Sequence, residues 1–304
     1  MNFLALIGAL ALTYYRPLAT LDWLQKFYLP YANLLERNFN GGKNRHGVLA
    51  WFLGAFLPSL LIGFAYFLLL EFQVLLGILL GVVVLYVTLR FSQFGQRAEL
   101  IVSALRDRNI DLARQLLADW EGTETEHYTA AQIAKVGIET IFKRTHHGLF
   151  APIFWFAILG PAGALLYRLT HLSSLAWAKE DAGLFNRFAS RAFEWMDWLP
   201  ARVTAGSFAI VGDFEDAVYC WRTQAPSWPD KALGIVFSSG AGALGVKLGE
   251  PLMNRGVLQF RPEIGLGDEA DADYLQSAIG LAWRVLVLMV SLLLLLNFAH
   301  WLGN

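Results

Sequence analysis

Charged side chains are absent from several long stretches of this chain, and the lengths of those stretches predict its architecture. Asp, Glu, Lys and Arg are missing from Met1–Tyr15, from the 25 residues His46–Leu70 and from the 18 residues Phe72–Leu89. They are missing again from the 23 residues Thr145–Tyr167 and from the 20 residues Val285–Asn304. A helix needs about 20 apolar residues to cross a hydrocarbon layer of roughly 30 Å. Four spans are therefore expected, around 48–70, 72–89, 149–168 and 281–302. The first 15 residues are short for a crossing; Arg16 at the interface would extend them. A cleaved signal peptide is the weaker reading, because no basic stretch precedes the apolar run and no small-residue cleavage site follows it. A crossing at 199–219 is also expected, although Arg202 sits inside it and Asp213 closes its apolar part. The fold class is thus all-α, a polytopic membrane protein with about five transmembrane helices plus amphipathic and cytoplasmic helices.

Between the spans the pattern changes. Segment 16–47 carries five Lys/Arg and two acids and reads as a loop, ending in the turn-rich stretch Asn38-Phe39-Asn40-Gly41-Gly42-Lys43-Asn44. Spans 48–70 and 72–89 form a hairpin around Glu71. Segment 90–144 has eight basic and eight acidic residues, with Ile101, Leu105, Leu112, Leu116 and Trp120 at helical spacing, and reads as solvated helices around a turn at Arg106-Asp107-Arg108-Asn109. Gly160-Pro161 predicts a kink in the 149–168 span. The aromatic, charged stretch 169–199 suits an interfacial helix. Segment 213–284, with six basic and ten acidic residues and many Gly, reads as a polar loop region with short helices. Loops 16–47 and 90–144 hold thirteen of the 24 basic residues, which places them in the cytoplasm by the positive-inside rule.

Composition narrows the class further. Of 304 residues only 16 % are charged, against roughly 25 % in an ordinary soluble domain. An ordinary soluble protein, a disordered chain and a disulfide-stapled module are excluded. Cys220 is the only cysteine, so no internal disulfide exists. The net charge of −1 offers no reason to invoke nucleic acid.

From about residue 136 onward, five motifs occur in order: Ile138-Glu139-Thr140 leading into Gly148-Leu149-Phe150-Ala151-Pro152-Ile153-Phe154-Trp155; Gly160-Pro161-Ala162-Gly163-Ala164-Leu165-Leu166-Tyr167-Arg168; Pro200-Ala201-Arg202-Val203-Thr204-Ala205; Gly242-Ala243-Leu244-Gly245-Val246-Lys247-Leu248-Gly249; and Arg261-Pro262-Glu263-Ile264-Gly265. This series resembles the CobD/CbiB family of cobalamin-biosynthesis membrane proteins. The resemblance implies an enzyme resembling adenosylcobinamide-phosphate synthase, an ATP- and Mg²⁺-dependent ligase that joins an aminopropanol (phosphate) arm to adenosylcobyric acid by an amide bond. Its expected partners are the corrinoid and aminopropanol phosphate substrates and the lipid bilayer of a bacterial-type inner membrane; a homo-oligomer is compatible with it. The chain also departs from the family pattern. Lys143 and His147 stand where acids are typical, Tyr15-Arg16-Pro17-Leu18 replaces an amino-terminal motif, and His171-Leu172-Ser173-Ser174 lacks an expected aspartate. Those losses resemble the AmpE-like side of the superfamily, so a non-enzymatic membrane regulator or sensor is the alternative. A transporter is a third, weaker class, since no internal repeat is visible.

Candidate chemistry follows residue by residue. Glu139 is the expected catalytic residue and Mg²⁺ ligand; the plainer reading pairs it with Lys135 or Lys143, four residues away on either side. His146-His147 lie about 100° apart on a helix and do not form a chelating i, i+4 pair. Arg202 either recognises phosphate through its guanidinium fork or pairs with Asp197 or Glu194. Gly242 and Gly245 either cradle a phosphate or permit close helix packing, with Lys247 and Arg261 as anion-binding candidates. The stretch is not a Walker motif, because Val246 separates Gly245 from Lys247. If the ligase reading holds, Arg202, Lys247 and Arg261 should converge on one cavity. Asp268, Glu269, Asp271 and Asp273 read as a solvated acidic loop, or as a Mg²⁺ site if they fold toward Lys247 and Arg261.

Overall fold

A computed structural model of the chain describes residues 2–15, 23–90, 94–178, 184–254 and 257–302. The proposed interface role of Arg16 and the departures at 16–18 lie outside the described residues. The fold is all-α, with three helical stretches long and apolar enough to cross a membrane: Asn44–Phe72, Ala130–Ala176 and Ala272–Ala299. Contacts divide the chain into one unit of Met1–Ser92 with Gly148–Pro200 and a second of Gln93–His147 with Ala201–Asn304.

The first unit contains α1 (Asn2–Tyr15), α2 (Trp23–Phe39), α3 (Asn44–Trp51), α4 (Leu57–Phe72), α5 (Val74–Thr88) and α9 (Ala151–Ala176). A π-turn at Phe52–Phe56 joins α3 to α4 in one helical path. The predicted hairpin tip is sharp: α4 ends at Phe72, Gln73 is extended, and α5 starts at Val74. At 1.5 Å per residue the 15-residue α5 is only about 22 Å long, shorter than the layer it was expected to cross alone. Leu60, Leu61, Phe64, Phe67 and Leu68 on α4 and Leu75, Leu79 and Val83 on α5 are exposed, as a lipid-facing surface requires.

Two expectations need correcting here. Segment 16–47 is not simply a loop, because α2 occupies most of it. Leu24, Tyr28, Ala32 and Leu35 recur at helical spacing and pack against α9. Tyr28 Oη and Ser173 Oγ are 2.6 Å apart, and Trp177 Nε1 donates to the Ala32 carbonyl at 3.0 Å. Stretch 169–199 is not one interfacial helix either: α9 runs on to Ala176, and Trp177 and Phe185 are fully buried in this core. The Gly160-Pro161 kink is present, with Gly160 at φ 63°, ψ −153°, a conformation only glycine adopts freely.

The second unit contains α6 (Phe94–Arg106), α7 (Ile110–Glu121), α8 (Ala130–Thr145), α11 (Phe214–Thr223), α12 (Lys231–Leu244) and α13 (Ala272–Leu302). The α6–α7 turn falls where the charges place it, with Arg108 at φ 58° and Asn109 capping α7 through the Leu112 N–H. The buried stripe of α7 is Ala113, Leu117 and Trp120, while Leu112 is exposed. α13 packs on α6 and α8, and α12 packs on α11 and α8.

The expected crossing at 199–219 is divided. Helix α10 (Asn186–Val211) ends before Gly212, and Asp213 caps α11 by accepting the Asp216 N–H at 3.0 Å. The short helices expected within 213–284 are present as α11 and α12, but α12 is not part of a polar surface region. Its small residues Gly234, Ser238, Ser239, Gly240 and Gly242 let α12 sink into the unit, where every residue from Gly234 to Ala243 is buried. Short strands appear in what was read as loop: β1 (Val246–Lys247) pairs in parallel with β4 (Asp268–Glu269), and β2 (Leu252–Asn254) pairs antiparallel with β3 (Val257–Gln259).

Candidate functional site

A capping box starts α8: the Thr129 hydroxyl accepts the Gln132 N–H, and the Gln132 side chain accepts the Thr129 N–H. That start sets the rotation of α8, and three of its polar side chains, Glu139, Thr140 and Lys143, line one pocket of about 200 Å³ within the second unit, together with its Val136. Glu121, at the end of α7, lines the same pocket, as do Tyr128, Trp228, Gln259 and Arg261, over apolar Val136, Leu233, Phe237 and Leu252.

Glu139 is buried and anchors the segment opposite α8. It accepts the Gly249 N–H at 3.0 Å and holds the Arg261 guanidinium with both carboxylate oxygens. Gly249 has φ 80°, and a Cβ there would overlap the Pro262 carbonyl, so the backbone approach needs glycine. A bridge between Leu248 and Ile264 brings the 249 and 261 regions side by side. Gln224 clasps Gly265 through both backbone groups, at 2.6 and 3.2 Å, fixing the far end of that stretch. The Arg261 guanidinium lies 5.5 Å from the Trp228 ring centroid, and Trp228 in turn rests edge-on against Phe237.

Lys143 and Glu121 form a second ion pair on the pocket wall, with Thr140 Oγ1 donating to the other Glu121 oxygen at 3.1 Å. Lys135, one turn before Glu139, is buried between Glu250 at 2.5 Å and Glu269 at 2.7 Å. Gln132 completes this clamp by donating to Glu250 at 2.7 Å. Glu250 is held at φ 98°, a strained angle for a residue with a Cβ.

The hydrogen bond from Lys135 holds the Glu269 carboxyl below the usual carboxylate range, with the Lys135 and Lys247 charges adding to it. Burial pushes the Tyr128 phenol up, against the opposing charge of Arg261. Burial also pushes the Cys220 thiol up to about 11, which leaves it an unreactive core residue at neutral pH.

Of the residues singled out from sequence, the structure brings Glu139 and Arg261 together in one pocket. The i, i±4 pairing of Glu139 with Lys135 or Lys143 is not made, because both lysines are bound to other acids. Lys247 pairs with Glu263 at 3.9 Å, and neither it nor Arg202 is among the residues lining this pocket. The expected three-cation cavity is thus reduced to Arg261. Gly242 is a packing residue, since a Cβ there would overlap the Asp216 carbonyl of α11. Gly245, at φ 67°, ends α12 in the left-handed conformation. His146 Nδ1 lies 2.9 Å from Thr204 Oγ1, and both are buried.

The acidic cluster has structural partners throughout. Asp268 accepts the Tyr274 hydroxyl, Glu269 pairs with Lys135, Asp271 caps α13 and Asp273 pairs with Arg106. Sequence reasoning missed Glu121, Tyr128 and Trp228 as pocket residues. Trp228 sits in Ala225-Pro226-Ser227-Trp228-Pro229, a turn signal that carries no hint of a binding wall.

The description "CobD/Cbib protein" belongs to a family model that matches residues 4–282. The "Cobalamin biosynthesis protein CobD" of Stutzerimonas stutzeri is 34 % identical over 278 residues, 89 % of each chain. The protein of the same name from Chromobacterium violaceum is 34 % identical over 220 residues, 72 % of this chain and 70 % of its own length. That from Mycobacterium tuberculosis is 29 % identical over 189 residues, 60 % of each chain. No solved structure matches the chain.

Proposed function

We propose, for a chain that belongs to the CobD/CbiB family, that its work in cobalamin biosynthesis is the joining of an aminopropanol (phosphate) arm to adenosylcobyric acid, with the Glu139–Arg261 pocket as its substrate site. The observation that carries the placement is the meeting of three motif segments, 138–140, 242–249 and 261–265, around the Glu139 carboxylate. Forming an amide from a carboxylate requires activation, and ATP is the activating nucleotide this reading implies. Lys143 and Arg261, both lining the pocket, are the side-chain types that hold phosphate oxygens, and catalysis of phosphoryl transfer is chiefly positioning and charge stabilisation. In this reading Arg261, steadied by Glu139 and Trp228, orients an anionic group, and Tyr128 and Gln259 offer further polar contacts.

Mg²⁺ takes one or two protein carboxylates together with phosphate oxygens. The pocket has two carboxylates, Glu121 and Glu139, but each of their four oxygens already accepts a hydrogen bond from a neighbour. Each carboxylate is also compensated by a cation, Glu121 by Lys143 and Glu139 by Arg261, so as arranged the pair offers a divalent cation no net negative charge. The charge bias of 16–47 and 90–144 supports an orientation with both segments in the cytoplasm, and the bacterial relatives favour an inner-membrane location.

Complementation of a strain lacking the synthase tests the activity. Wild-type protein should restore cobalamin-dependent growth, and Glu139→Gln should not, while still accumulating in the membrane. Failure of the wild-type protein to complement would favour the AmpE-like regulator. Normal growth with Glu139→Gln would move the site elsewhere.

A further inference from the structure

Donors and acceptors in the Glu139–Arg261 pocket are unevenly spent. Glu139 and Glu121 have a partner on every carboxylate oxygen. The cations are not used up. Lys143 carries three N–H donors and places one on Glu121, with its side chain still 41 % exposed. Arg261 spends Nη2 on Glu139, and its Nε is a buried donor with no hydrogen-bond partner. A buried donor left unpaired is unfavourable, so Arg261, which lines the pocket, gains from any adjustment that brings its guanidinium a further acceptor.

We propose that this pocket binds the phosphate group of its ligand directly, through Lys143 and Arg261, with no divalent cation bridging the phosphate to the protein. This rests on the reading of the pocket as the substrate site and states how that site takes charge. Lys143 supplies the positive charge that a metal would otherwise bring, and Glu121 and Glu139 act as positioning residues that hold the two cations at fixed places.

Isothermal titration of the full chain in detergent with inorganic pyrophosphate tests this, once in EDTA and once in Mg²⁺. Binding is expected in EDTA, at least as tight as in Mg²⁺, because the metal complex of pyrophosphate carries less negative charge. Lys143→Gln and Arg261→Gln should each weaken it at least tenfold, and Lys143→Arg should retain it, which separates loss of charge from loss of fold. Binding seen only with Mg²⁺ would overturn the proposal while leaving the pocket as a phosphate site. Undiminished binding by Lys143→Gln would overturn it as well. Absence of binding in both buffers would also overturn it, and wild-type complementation would then show whether the ligase reading survives.

Discussion

Breaking the Glu139–Arg261 pair should destabilise the second unit by an amount that can be bounded. The two side chains are 8 % and 16 % exposed, so each is largely removed from water. Removing one member of such a pair typically costs about 3–5 kcal/mol, because the survivor is left charged and uncompensated. Glu139→Gln keeps an oxygen for the Gly249 N–H and strands only the Arg261 charge. Arg261 borders the pocket and rests on Trp228, so water and the ring soften the loss toward the lower bound, about 3 kcal/mol. Arg261→Met should cost about 3–5 kcal/mol, since the more deeply buried Glu139 is then the survivor. The double variant strands no charge, so it should fall short of the sum by about 2–3 kcal/mol. The assay is thermal unfolding of the four proteins in one detergent, read as a double-mutant cycle. With 1 kcal/mol worth about 2–4 °C in a unit of 150–250 residues, Glu139→Gln should lower Tm by about 6–12 °C. A coupling below about 0.5 kcal/mol would mean that the two side chains act independently and would refute the reasoning.

Cysteines placed at exposed Asn38 and Arg108 should resist an impermeant thiol reagent in intact cells and react after lysis, while buried Cys220 stays silent; labelling of both in intact cells would reverse the topology. Glu269 is held below its ordinary value by Lys135, so its contribution to stability is present above the ordinary carboxylate range near pH 4 and is lost as pH falls through its lowered folded value. Tm of the wild type should accordingly drop more steeply below about pH 4 than that of Glu269→Gln, and parallel curves would contradict the clamp. Gly249→Ala should destabilise by about 1–3 kcal/mol from strained backbone alone and abolish complementation, because its Cβ meets the Pro262 carbonyl. Gly206→Ala, in open space on α10, should be neutral or slightly stabilising, so equal losses at the two glycines would refute the packing argument.

What the sequence determined by itself was set by local rules. Apolar length marks the 48–70, 149–168 and 281–302 helices, because the energetic cost of an unsatisfied or charged group in hydrocarbon is felt residue by residue. Gly160-Pro161 announces its own kink, and Arg106–Asn109 its own turn, since both depend on backbone angles of a few neighbouring residues. The motif residues Glu139 and Arg261 were legible as candidates from their resemblance to a family. Their pairing across 122 residues was not, nor was the reassignment of Lys135 and Lys143 to Glu250 and Glu121. A helix offers each charged residue partners at i±4, but those partners win only if no acid from another element comes within closer reach, and that is decided by packing. Segment 213–284 read as a polar loop region with short helices because its charges and glycines average to a polar composition. Tertiary structure separates them, placing the small residues of α12 in the interior, where close approach of α11 needs them, and the acids at caps and clamps around α13. The pocket exists only once those distant segments meet, because its walls come from α7, α8, the Trp228 turn and the strands near Arg261.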